Sequence, residues 1–337
     1  MMSDLYIVSS GMCCGVGYST KAATAAIRAG LDHFRETDFI DYYSEPLIGS
    51  QLYQSEMWGE ARLQSMMTQV IRECLSDCAE AAMSRICLLL LLPEQEKQEK
   101  KDEWFAPFLQ AFHPSSQQYY LDEIDIGGLL QYARALLTEH TVQYVLLVGV
   151  DSHFSPSRIN HYLNINRLLS SNNSDGFIPG EGAGAILFTG DDGHEGVYIS
   201  GIGVAHEPAN ILQDDKPCRG DGLAFAINQA VNNKGSLLSQ TDFHMSNVNG
   251  ESWYFRESSL AIARCLDRKK ESYPHYQISK NVGAVGAASG PLMLAYLQSV
   301  MPHPYGPGFN GLIHLSTDSG LRSALWIEYR TGQKGEI

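Results

Sequence analysis

The chain has 337 residues, 44% of them hydrophobic, enough to bury the core of one large domain or of two related halves. Its formal net charge is -14 and its Lys and Arg gather into no run, which argues against a nucleic-acid partner. The cysteines (Cys13, Cys14, Cys74, Cys78, Cys87, Cys218, Cys265) show no paired metal spacing and read as reduced, mostly buried thiols. The opening MMSDLYIVSS has no basic segment followed by a long apolar stretch, and ICLLLLLP at 86–93 is too short to span a bilayer, so a cytoplasmic protein is expected.

In chain order, LYIVSSGMCCGVG reads as a strand ending in glycines, followed by the alanine-rich helix STKAATAAIRAG with Ser19 or Thr20 as cap and Gly30 as stop. GEARLQSMMTQVIRECLSDCAEAAM has helical period through 59–83, which would set Cys74 and Cys78 one turn apart. It runs into RICLLLLLP, a continuous apolar strand of the kind covered on both faces. The mixed-charge run EQEKQEKKDE at 94–103 reads as a solvated loop or helix end, and WFAPFLQAF as a short amphipathic stretch. GGLLQYARALLTEH then reads as a helix delivering the chain to the strand VQYVLLVGVDS.

GFIPGEGAGAILF at 176–188 places Glu181 between glycines just ahead of an apolar run. A phosphate-binding turn runs from strand into helix, and here a loop runs into a strand, so the segment does not read as an anion-binding turn. From residue 197 a strand-then-helix unit recurs, VYISGIGVA followed by GDGLAFAINQAV. FHMSNVNGES, the helix SSLAIARCL, the strand-like YQIS, a small-residue helix from Ala287 and the strands NGLIHLS and SALWIEYR follow. Alternating strands and helices in two related halves, 1–193 and 194–337, predict an α/β layered fold.

The histidines show no metal spacing. His153 and His161, and the proline-rich PHPYGPG loop, lack paired ligands at helical offset and read as solvated or capping, while LDEID lacks the ligand spacing of a calcium loop. No metal and no cofactor is expected.

Several stretches together resemble the β-ketoacyl synthase branch of the thiolase superfamily: YIVSSGMCCGVG its first strand and turn, and DGFIPGEGAGAILF its glycine-rich segment. SNVNGESWYFRESSLAIA stands where that family has its His-Gly-Thr-Gly-Thr motif, ISKNVGAVGAASGPLMLAY where it has Lys and Gly-His, and LSTDSGLRSALWIEYR where it has its closing segment. The resemblance implies two βαβαβαββ halves stacked into a five-layered α-β-α-β-α core, commonly a two-fold dimer. It also implies that the glycine segment is architecture, with Glu181 a buried, hydrogen-bonded structural carboxylate rather than an acid catalyst.

It also implies a site, whose positions carry different groups here. The family's nucleophilic cysteine falls at Ile124 or one residue to either side, with no cysteine between Cys87 and Cys218. Asp125 or Asp122 would cap the helix there instead. Asn249 stands for the first histidine and Ala284 for the second; Lys280 is retained, one residue closer to the following glycine than in the family; Ser319 replaces the gating phenylalanine. Because such groups act as a unit, a chain lacking them all keeps little of the chemistry.

The expectation is a non-catalytic synthase-like protein acting as adaptor, chaperone or partner subunit. GMCCGVGYS, AIRAG, FRETDF and LIGS resemble thiolase-like proteins encoded beside type VI secretion components, which implies effector loading with an effector or secretion component as partner. Two alternatives stand beside it: a chain-length-factor-like partner of an active sister synthase, and an acyl-thioester condensing enzyme or decarboxylase with a rearranged site.

Overall fold

A computed structural model describes residues 4–52, 57–78, 80–93, 105–106, 108–122, 124–190 and 193–332. The charged run 94–103 lies outside them. Strand β1 (Leu5–Cys14) lies antiparallel to β7 (Glu181–Gly190), and β7 to β6 (Tyr144–Ser152). Parallel strands β4 (Ile86–Leu92) and β5 (Gln117–Tyr120) complete that side. The second side repeats the arrangement with β8 (Gly196–His206), β12 (Leu321–Arg330), β11 (Asn310–Ser316), β9 (Phe243–Ser246) and β10 (His275–Gln277). The strand order is β10-β9-β11-β12-β8-β1-β7-β6-β4-β5, and the sides meet where Leu5 and Tyr6 pair with Ile199 and Tyr198.

Side-chain alternation along these strands sets the layers. Leu88 and Leu90 of β4 face helix α2 (Gly59–Cys74) through its Leu63, Met66 and Val70, whereas Leu89 and Leu91 face the central core. That core is filled by α3 (Ile126–Thr138) and by α8 (Ser289–Val300), which pack between the two sides of the sheet. Helices α5 (Asp221–Lys234) and α6 (Ser252–Cys265) cover the far face over Leu312, Ala324 and Trp326. The layers are helix, sheet, helix, sheet, helix, as expected from the sequence. Among the described residues no helix is long and apolar enough to cross a membrane.

Two element boundaries differ from expectation. Helix α1 (Thr20–Arg28) is capped by Ser19, whose Oγ accepts from the Ala22 N–H, but α2 ends at Cys74 instead of running to Met83, so Cys78 is not on it. Ser76 and Asp77 follow that end, residue types that compete with helical bonding, and residues 80–85 form only a 3-10 turn. Helix α6 begins at Ser252, ahead of the expected Ser258, because Asp175 accepts bonds from its N–H and Oγ across 77 residues of chain. A hairpin of β2 (Arg35–Ile40) and β3 (Pro46–Gly49) and a helix α4 (Pro156–Asn164) are elements the sequence reading missed.

Candidate functional site

The free N–H groups at the start of α3 are where a synthase of the resembled family would stabilise an oxyanion. Here they are occupied. Asp125 is the N-cap, its Oδ1 accepting from Gly128 N–H at 3.0 Å, so Asp125 and not Asp122 takes that role. Ser323 on β12 accepts from Gly127 N–H at 2.9 Å and donates its hydroxyl proton to Asp125 Oδ2. A Cβ on Gly127 would collide with Ser323, which is why glycine stands there. Asp125 is 6% exposed; burial raises its pKa, opposed by the bonds from Ser323 and Gly128.

A cavity of about 760 Å³ opens at this helix end. Asp125 and Ile126 border it, and the fold brings Asn249, Ala284 and Ser319 to its wall. Ile124 does not line it; its side chain is half-buried against the central core. Lys280 does not line it either and is exposed. Asn249 is held by Glu251, whose N–H donates to Asn249 Oδ1 while Asn249 Nδ2 donates to Glu251 Oε2 at 2.9 Å. Ser319 Oγ shares a 2.8 Å hydrogen bond with Thr317 Oγ1.

The arginines at the cavity wall are spent on neighbouring carboxylates. Arg167 donates to both Glu251 oxygens at 2.7 and 2.6 Å and to Asp318 at 2.6 Å, and Tyr254 donates to Asp318 at 2.6 Å. Burial works against charge on Arg167, but Glu251 and Asp318 outweigh it and its pKa is raised. Asp151, fully buried, accepts from Arg158 and from Ala287 N–H at 2.9 Å, and Arg158 overcomes burial to lower its pKa. Gly286, at φ 46°, sits so close to Asp151 that any Cβ would overlap its carboxylate.

Glu181 is buried and structural, as read from the sequence. It is 0% exposed and accepts from Arg62 Nε at 2.7 Å, Arg62 Nη2, Leu52 N–H at 2.7 Å and Ser152 Oγ at 2.9 Å. This tie joins α2, the irregular segment after β3 that holds Leu52, β6 and β7.

The reading of His153 as solvated or capping is corrected. His161 is exposed, but His153 is 4% exposed, packed against Tyr162 and Phe177 at the cavity wall, with no hydrogen-bond partner for Nδ1. Burial, then the Arg158 charge, pushes its pKa down to about 3. Such an imidazole stays neutral near pH 7 and is a weak proton acceptor there.

No cysteine is among the described residues lining the cavity. Cys13 and Cys14 are buried at the end of β1; burial raises both thiols, Cys14 to about 11. Cys74 is pushed up to about 12, and Cys87, Cys218 and Cys265 to about 11, burial being the largest cause in each. These thiols are protonated and poorly nucleophilic near neutral pH. Away from the cavity, the sequence reading missed one cluster: among the described residues, His244, His275 and His314 bring possible metal-ligand atoms within 4.8 Å of one another.

The layering, the strand order and a cavity at the start of a buried central helix define the thiolase-like ketosynthase fold. Solved structures bear this out over nearly the whole chain. A chain of a type II polyketide acyl-carrier protein in complex with its ketosynthase matches with TM-score 0.80 at 13% identity, covering 98% of this chain and 100% of that one. The oxazolomycin ketosynthase domain of Streptomyces albus gives 0.79 at 13% identity, covering 98% of this chain and 76% of that one. A chain from the ketosynthase–chain length factor complex of Xenorhabdus doucetiae gives 0.72 at 14% identity, covering 97% of this chain and 98% of that one. No family model matches the sequence, and no curated protein does. The likeness establishes the fold.

Proposed function

We propose that this chain is a non-catalytic ketosynthase-like subunit that works by binding another protein, as an adaptor, chaperone or partner subunit. The observation that carries the reading is Asp125. A buried carboxylate holds the helix N-terminus where a condensing enzyme would hold a thiol, and with Ser323 it consumes the N–H groups an oxyanion would need. With Asn249, Ala284 and Ser319 around the same cavity, nucleophile, both imidazoles and gate are replaced together. Proteins of this fold assemble with partners: the solved relatives include a ketosynthase with its acyl-carrier protein and one with its chain length factor.

The N-terminal likeness makes type VI secretion the setting, with the chain loading or escorting an effector in a bacterial cytoplasm. The halves divide at residues 193 and 194, between β7 and β8, and a homodimer is compatible with the role. The test has two arms. Incubation with malonyl and acyl thioesters, followed by intact mass and carbon dioxide release, is expected to give no adduct and no gas; a stoichiometric adduct on any cysteine overturns the reading. Co-expression with an effector bearing a spike-tip domain is expected to yield a stable complex. Complex formation only with a cysteine-bearing synthase moves the assignment to a chain-length-factor role.

A second reading, a decarboxylase or condensing enzyme with a rearranged site, draws on the retained cavity of about 760 Å³. Turnover of malonyl thioester without an adduct would establish it. Lys280, exposed and outside the cavity wall, offers it no base.

A further inference from the structure

His244, His275 and His314 stand on three neighbouring strands, β9, β10 and β11. His275 is the direct cross-strand partner of His244, and His314 pairs with Ser246 two residues further along β9. Phe243 and Met245 on β9 and Ile313 on β11 face the central core, so alternation turns His244 and His314 to the opposite face, beneath α6. Ser258 of α6 reaches them, its Oγ 3.4 Å from His314 Nε2. These are not the imidazoles of the resembled family, whose positions are Asn249 and Ala284 at the cavity.

We propose that the three histidines form a binding site for one divalent transition-metal ion, zinc by its ligand chemistry, with the fourth position left to water. Imidazole nitrogen suits zinc, and a set of three histidines leaves a tetrahedral ion open on one side. His244 Nδ1 and His314 Nε2 lie 3.2 Å apart in a shared hydrogen bond. Two nitrogens on a tetrahedral zinc stand about 3.4 Å apart, so this pair is already spaced to exchange the shared proton for an ion. The third ring has to turn. His275 stacks on His244 at 4.1 Å and 15°, but it is half-buried on the sheet's edge strand, where it has room to swing and where an ion can enter. Ser246 Oγ at 2.6 Å from Nε2 and the Gln277 side-chain amide at 3.1 Å from Nδ1 hold that ring now; binding an ion gives up one of these bonds, and the other nitrogen keeps an outer hydrogen bond of the kind that orients a metal ligand.

The test uses the whole chain, stripped with chelator and titrated with zinc chloride by calorimetry, then with cobalt chloride by absorption. The expected result is uptake of one zinc per chain, a raised thermal midpoint, and a cobalt spectrum without thiolate charge transfer. His275→Ala, at the edge, is expected to weaken uptake by a factor on the order of 100 while leaving the circular dichroism unchanged. His275→Gln serves as a second variant should the alanine chain fail to fold. Absence of zinc uptake by the unaltered chain, uptake undiminished in a folded His275 variant, or a thiolate signature with cobalt each overturns the proposal.

Discussion

The cavity at the start of α3 and the histidine cluster beneath α6 are built from opposite materials. The cavity has volume, but its buried charged groups are already engaged: Asp125 with Ser323 and the helix N–H groups, Arg167 with Glu251 and Asp318, Arg158 with Asp151. The cluster holds no ion pair among its own groups, and its nitrogens are hydrogen-bonded to one another, to hydroxyls and to an amide. Paired ions in a low-dielectric wall resist exchange, because freeing either partner leaves a buried charge; neutral hydrogen bonds exchange at low cost. The space for a ligand and the groups able to change partner have thus separated within one fold.

The comparison breaks most sharply at Glu181, the buried ionic tie between α2, β6 and β7. Glu181→Ala leaves Arg62 buried without its carboxylate and is expected to cost about 3–5 kcal/mol, read as a lowered urea midpoint. If the loss is under about 1 kcal/mol, the tie is not what anchors α2 to β7.

Acid is the next lever. Burial first, then the charges of Arg158 and Arg167, hold the His153 pKa at about 3 in the folded chain against about 6.5 when unfolded, with Asp151 and Asp318 opposing the shift. Between those values the unfolded state takes up a proton the folded state refuses. The stability is therefore whole above about pH 6.5 and falls as pH drops, by about 2 kcal/mol at about pH 5 for this one group. His153→Phe is expected to shrink the difference in thermal midpoint between neutral and acid buffer; an unchanged difference removes His153 as its source.

Asp125→Ala, which strips the cap of α3, is expected to cost about 1 kcal/mol in the same urea assay. Asp125→Cys sharpens the functional side. A thiol at that N-terminus, beside the cavity, is expected to react with iodoacetamide faster than the native cysteines, whose pKa values burial raises. Equal rates would mean that the helix end is closed to chemistry whatever residue stands there. The smallest effect belongs to Lys280→Ala: exposed and away from the cavity, it is expected to change stability by less than about 0.5 kcal/mol.

Much of the scaffold was legible in the residues. The runs that form β4, β6 and α3 declare themselves through continuous apolarity and helical period, and Glu181 could be read as structural from the resemblance of its glycine segment. Helix α4 also had its signal, Ser155 followed by Pro156, and was passed over. Other features had no local signal. The start of α6 depends on Asp175, remote in sequence, and the end of α2 on a short polar stretch inside an otherwise helical period. His153 was misread because its neighbours in sequence are polar while its neighbours in space are Tyr162 and Phe177.

By itself the sequence determined the alternation of strands and helices, the layered α/β class and the want of a cysteine between Cys87 and Cys218, since each is a property of contiguous residues. Only the tertiary structure decided that Asn249, Ala284, Ser319 and Asp125 share one cavity from which Ile124 and Lys280 are turned away, and that three scattered histidines meet beneath α6. The reason is the parallel, crossover connection of the strands: it sets side by side residues far apart along the chain, and no local pattern records such neighbours.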